Sequence, residues 1–192
     1  MTDDPLQLFH EWIGADEMAL ATATADGRPS LRMVLLKSAD ESGFAFFTNY
    51  ESRKGRELAE NPRAALLFRA PEVQVRVEGR VEKLPAAASD AYWASRPPGS
   101  RRSAAASRQS QPIGSRAELE ARVAAEEARW PDTGSPDDVP APSTWGGYLV
   151  RPDVVELWVG QRSRLHDRIV FVRTGRGDMD DPRSWRTTRL QP

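Results

Sequence analysis

The chain has 192 residues, 39% of them hydrophobic, enough to bury a substantial core as a single domain over 1–192 without disulfides. It contains no cysteine, which excludes thiol catalysis, thiolate metal sites and a disulfide framework, and its two histidines are too few for an ordinary zinc site. A net charge of −1 and a pI near 6.2 give no global basic field, so nucleic acid and anionic membrane are not expected partners and basic residues must act locally.

The acidic start, Met1 to Pro5, lacks the basic-then-apolar order of a secretion signal, and no apolar run is long enough to span a bilayer. A cytoplasmic protein is expected. Residues 1–17 form a short N-terminal segment in which 5–12 predict a helix, with Leu6, Phe9 and Trp12 on one side. Met18 to Thr24 reads as a strand entering a tight turn at Asp26-Gly27. Leu31 to Leu36 is nearly continuous apolar sequence, which suits a buried strand. Asp40 to Gly43 then supplies turn residues before a second strand at Phe44 to Thr48, so these two strands are expected to pair as a hairpin.

Ser52 is a good N-cap for a helix from Arg53 to about Glu60, ended by Asn61-Pro62. Helix N-termini favour acidic side chains, yet this one carries Arg53 and Lys54. A phosphate would take the exposed N–H groups, the Ser52 hydroxyl and both cations together; the plainer reading is that two long side chains reach into water. Arg32 and Lys37 differ by an odd number of residues, so in a regular strand they point to opposite faces and suit two phosphates rather than one.

Ala64 to Phe68 and Val73 to Leu84 predict further strands. In the second, Val73, Val75, Val77 and Gly79 share one side and Gln74, Arg76 and Glu78 the other. Ala86 to Ser95 predicts a helix stopped by Pro97-Pro98-Gly99, with Tyr92 and Arg96 one turn apart. Residues 100–113 are basic, small and hydroxylated, which fits either a mobile loop or another anion site. Ser115 and Glu118 form a capping box for a surface helix to about Trp130, and 131–143 is an internal loop. Tyr148 to Val150, Val154 to Val159 and Arg164 to Val172 predict closing strands, the last placing Arg164, His166 and Arg168 on one face.

The ordered set Arg32-Met-Val-Leu-Leu-Lys37, Phe47-Thr48-Asn49, Ser52-Arg-Lys54, Ser95-Arg-Pro97, Ser107-Arg-Gln-Ser110, Trp145-Gly-Gly147 and Arg164-Leu-His-Asp-Arg168 resembles the pyridoxamine 5'-phosphate oxidase (pyridoxine 5'-phosphate oxidase) family, from Met18 to the C-terminus. The resemblance implies a mainly β, FMN-binding split β-barrel of antiparallel strands with flanking helices, working as a homodimer with FMN at the interface. It implies FMN contacts at Arg32, Met33, Val34, Leu35, Phe47, Thr48, Ser52, Arg53, Lys54, Gln74, Gln109, Ser110, Trp158 and Arg168. Lys37, Tyr92, Arg96 and Ser100 match positions that hold the substrate phosphate, and Arg164 and His166 match those beside the reacting carbon.

The activity so implied is oxidation of pyridoxine or pyridoxamine 5'-phosphate to pyridoxal 5'-phosphate, with a hydride passing from substrate C4' to flavin N5 and O2 as final acceptor. Three departures bear on substrate handling. The family's N-terminal Arg and Tyr that fold over the substrate are expected to be missing or different here, Val73 stands where an Arg is usual, and Ala105 stands where a Trp is common. The rivals are a same-fold flavin oxidase of the phenazine type and a non-catalytic FMN or pyridoxal phosphate-binding protein. Phenazine-pathway relatives tend to lose the lysine corresponding to Lys37, which this chain keeps.

Overall fold

The computed structural model describes residues 4–14, 16–135 and 138–192; parts of the expected N-terminal segment and of the 131–143 loop, at 1–3, 15 and 136–137, lie outside the described residues. The chain divides into two compact units. The first comprises Met1–Phe46, Glu57–Glu82 and Tyr148–Pro192, the second Phe47–Arg56 and Lys83–Gly147.

The first unit is built on a sheet. β1 (Glu17–Ala23) and β2 (Pro29–Leu35) form an antiparallel hairpin with Leu20 opposite Arg32 and Thr22 opposite Ser30. With β3 (Ser38–Asp40), β4 (Gly43–Asn49), β5 (Arg63–Ala70), β6 (Val73–Lys83) and β7 (Trp145–Val159), the strand order is β2-β1-β5-β6-β7-β4-β3. β7 also pairs with β8 (Asp167–Arg173), and β8 with β9 (Trp185–Leu190). Gly43 opens β4 at φ +137°, where a Cβ would lie 2.2 Å from the Val150 carbonyl oxygen, so only glycine lets the chain turn against that backbone.

Alternation places the core. Met18, Leu20, Phe44, Phe46, Phe68, Val75 and Val77 are fully buried. α1 (Pro5–Trp12) starts at Asp4, whose carboxylate accepts the Leu6 and Gln7 N–H groups, and lays Phe9 edge-on against Phe44 and Phe68 at 5.0 and 4.8 Å between centroids. Its buried residues are Pro5, Leu8 and Phe9, so Leu8 takes the place expected of Leu6.

Several expectations are corrected. The 31–36 strand is not the hairpin partner of 44–48: it pairs with β1, and the turn at 40–43 instead joins β3 to β4. Nor is it buried, since β2 is the outer strand of the order and Leu31, Met33 and Leu35 are 70%, 61% and 46% exposed while Ser30, Arg32 and Val34 turn inward. The segments at 148–150 and 154–159 are one strand, β7, because Pro152 sacrifices one N–H without leaving extended geometry. The strand expected from Arg164 begins only at Asp167, and β9 was not anticipated.

The second unit holds α3 (Ala86–Ser95), α4 (Pro98–Ala106) and α5 (Arg116–Arg129), while α2 (Arg53–Glu60) begins in it and ends in the first. α4 corrects the loop reading of the basic stretch: Arg101 and Arg102 are 2% and 8% exposed, donating to the Ser135 and Trp130 carbonyl oxygens at 3.2 and 2.8 Å. Trp93, Val139 and Trp145 form this unit's core, with Ala105, Trp130 and Ala141 packed against it. α5 opens as expected, the Ser115 hydroxyl accepting from the Glu118 N–H at 3.1 Å, and buries none of its residues. Among the described residues no helix is long and apolar enough to cross a membrane.

Candidate functional site

In the second unit the residues converge on the start of α2. Ser52 is fully buried and its Oγ accepts from the Gly55 N–H at 3.3 Å, which fixes the first turn. Gly55 is required there, because a Cβ would fall 2.1 Å from the Tyr50 carbonyl oxygen. Lys54 is 8% exposed, and its Nζ lies 3.1 Å from Thr48 Oγ1, 3.2 Å from Gln109 Oε1 and 3.5 Å from Ser52 Oγ, three neutral oxygens. Thr48 also donates to Gln109 Oε1 at 3.0 Å, and Ser110 follows at φ +70°. A buried ammonium at a helix N-terminus, with a second cation at Arg53, adds positive charge at the positive end of the helix dipole.

Beside it stands an aromatic stack. Phe47 lies 4.1 Å from Tyr92 and 5.5 Å from Trp145, all nearly parallel, and the Arg96 guanidinium sits 5.2 Å above both Trp93 and Trp145. Burial lowers the Arg96 pKa from its usual value, with Tyr92 acting the other way. Arg96 Nη2 also donates to the Ser100 carbonyl at 3.3 Å, which makes these two residues neighbours.

In the first unit, the inward side of the β1–β2 hairpin carries Arg32, which donates to Leu20 O, Thr22 Oγ1, Ser30 Oγ and Glu57. Met33 and Leu35 face outward, Val34 is half-buried, and Lys37, two residues past β2, is exposed with its N–H on the Ala45 carbonyl at 2.8 Å. Gln74 is half-buried opposite Arg69.

At the β7–β8 end, Glu156 accepts from Arg168 at 2.7 Å and from Arg76 at 2.9 Å, and this bond raises the Arg168 pKa above its usual value. Trp158 lies 4.6 Å from the His166 ring. The Gln161 N–H donates to His166 Nδ1 at 3.1 Å; a ring nitrogen that accepts cannot carry the proton, which assigns the hydrogen to Nε2. Arg164 does not share a strand face with His166 and Arg168. It closes a 3-10 turn, Arg162–Arg164, in which Ser163 and Arg164 take φ +57° and +62°. Two successive left-handed non-glycine residues cost of order 1 kcal/mol or more each, strain that collects at functional positions.

Glu57, Glu156 and Thr22 were not anticipated. Glu156 had a visible signal, a lone acid in the apolar run Val154 to Val159; Glu57 and Thr22 had none, because their partners are set by pairing across the fold.

The family model described as pyridoxamine 5'-phosphate oxidase matches residues 9–129, and that of the pyridoxine 5'-phosphate oxidase C-terminal dimerisation region matches 145–192. A pyridoxine/pyridoxamine 5'-phosphate oxidase of Burkholderia multivorans is 52% identical over 98% of this chain and 89% of its own length. The protein of the same name from Anaeromyxobacter dehalogenans is 57% identical over 93% and 85%. Among solved structures, PhzG of Burkholderia lata with tetrahydrophenazine-1-carboxylic acid superposes with a TM-score of 0.87 at 31% identity, covering 100% of this chain and 94% of that one. A pyridoxamine 5'-phosphate oxidase-related, FMN-binding protein of Nostoc punctiforme gives 0.69 at 19% identity, over 98% and 94%, and so shares the fold.

Proposed function

This chain belongs to the pyridoxamine 5'-phosphate oxidase family of FMN-dependent oxidoreductases with the split-barrel fold, and from that premise we propose that it oxidises pyridoxine and pyridoxamine 5'-phosphates to pyridoxal 5'-phosphate. The alcohol loses two electrons and two protons to O2, which becomes peroxide; the amine does the same and then exchanges nitrogen for water, releasing ammonia. We treat residues 1–192 as one working domain in the cytoplasm.

The observation that carries the reading is the donor set around Lys54. An ammonium, the Arg53 guanidinium, the Ser52 and Thr48 hydroxyls and the N–H groups of a helix start fit a phosphate monoester. In the proposal these residues, with Arg32, Gln109 and Ser110, hold the FMN phosphate; Met33, Val34, Leu35, Phe47, Gln74, Trp158 and Arg168 contact the rest of the cofactor. When bound, FMN supplies the two-electron oxidation. The chain's own part is placement. Lys37, Tyr92, Arg96 and Ser100 hold the substrate phosphate, with Arg96 kept in place by its two indoles. Arg164 and His166 face the reacting end, His166 offering Nε2–H as a donor because Nδ1 is already occupied by Gln161.

The same reading makes the protein a homodimer with FMN at the interface. The match of 145–192 to a dimerisation region supports this, as does the row Leu31, Met33 and Leu35 exposed beside Leu67, which is 37% exposed. Peroxide released on adding pyridoxine phosphate to the FMN-loaded protein tests the proposal. A second reading, oxidation of a phenazine precursor, is favoured by the superposition on PhzG; turnover of a dihydrophenazine carboxylate with none of pyridoxine phosphate would select it.

A further inference from the structure

We infer that Glu57 is a positioning residue of the cofactor-phosphate site, acting through Arg32; this rests on the proposal above that Arg32 contacts the FMN phosphate. The antiparallel register puts Leu20, Thr22, Ser30 and Arg32 on one side of the β1–β2 hairpin. Onto that side α2 delivers Glu57, whose side chain is 4% exposed. Its Oε2 accepts from Thr22 Oγ1 at 2.5 Å, from Ser30 Oγ at 2.6 Å and from Arg32 Nη2 at 3.3 Å.

The proton bookkeeping makes this a directional device. Each hydroxyl has one proton, and both are committed to Glu57, so the lone pairs of Thr22 and Ser30 must face the guanidinium. Arg32 Nη1 accordingly donates to Thr22 Oγ1 at 2.5 Å and to the Leu20 carbonyl at 3.2 Å, while Nη2 takes Ser30 Oγ and Glu57. A long, four-torsion side chain is thereby held as a rigid fork. Glu57 lies one turn beyond Lys54 on the same helix.

Glutamine at 57 keeps the volume but presents an NH2 that competes with Arg32 for the hydroxyl lone pairs. Glu57→Gln should therefore weaken FMN binding about ten-fold while changing riboflavin, which lacks the phosphate, less than two-fold. Both are read by fluorescence titration of the apoprotein. Should Glu57→Gln not fold, Thr22→Val breaks the same relay and should shift the FMN-to-riboflavin affinity ratio in the same direction. Equal weakening of both flavins means Glu57 only ties α2 to the hairpin, and unchanged or tighter FMN binding means its charge merely neutralises Arg32; either overturns the inference. Arg32→Ala separates the layers: if it leaves the FMN-to-riboflavin ratio untouched, the assignment of Arg32 itself fails and the inference with it.

Discussion

Replacing Lys54 by methionine tests the phosphate site at its centre. The ammonium is 8% exposed and touches Thr48, Ser52 and Gln109, so methionine fills the stem's volume and removes only the charge. Without ligand the loss is small. Thr48 already donates to Gln109 Oε1 at 3.0 Å, which leaves both satisfied, and about 1 kcal/mol of stability is at stake. With FMN the loss is larger, since a hydrogen bond from a charged donor contributes roughly 1.5–3 kcal/mol. At about 1.4 kcal/mol per factor of ten, FMN affinity should fall on the order of 10- to 150-fold. The assay is titration of apoprotein with FMN and, separately, riboflavin, followed by flavin fluorescence. FMN affinity within about three-fold of the parent, or an equal drop for riboflavin, would refute the reasoning.

Reversing both Arg53 and Lys54 to Glu should abolish FMN binding altogether, checked by flavin content after purification. Lys37→Ala should raise KM for pyridoxine phosphate at unchanged flavin content; parallel loss of flavin would mean the two phosphates are assigned the wrong way round. His166→Asn should lower kcat more than flavin occupancy, whereas unaltered turnover would make His166 structural. The Glu118 carboxyl is held below its ordinary value, first by the Gly114 N–H and then by Arg122, so its support of α5 is complete above the unfolded pKa and lost as pH falls through the lower folded one. The Tm difference between parent and Glu118→Gln should accordingly shrink toward zero on acidification through that window.

What could be read from the sequence was local. The Ser52 cap with its misplaced cations, the alternation of Val73 to Gly79 and the Ser115–Glu118 start of α5 each depend on neighbours a few residues away, and each stands as expected. Pairing was less legible. An apolar run such as Leu31 to Leu36 looks the same whether both faces are covered or one is left open, so nothing in the run told β2 to expose alternate side chains, although the Asp26-Gly27 turn before it did point to β1. The basic stretch at 100–106 hid a helix because its arginines are not solvated, and Arg164 left the expected strand through a left-handed turn that no glycine announced. The substitution of Ala105 also reads differently in place: it packs against Trp93, Val139 and Trp145 with Trp130 and Ala141 nearby, so other side chains supply bulk around it.

That packing changes what the proline- and aspartate-rich stretch after α5 can tolerate. By composition it is a linker, the sort of place where insertions accumulate and proteases cut. Yet Val139 is 1% exposed, its carbonyl accepts from Trp93 Nε1 at 2.6 Å, and Arg101 and Arg102 grip the carbonyls of Ser135 and Trp130. A tag, nick or length change there would loosen the indole on which Arg96 rests, so evolution and engineering alike should find this stretch more restricted in length than its residues suggest.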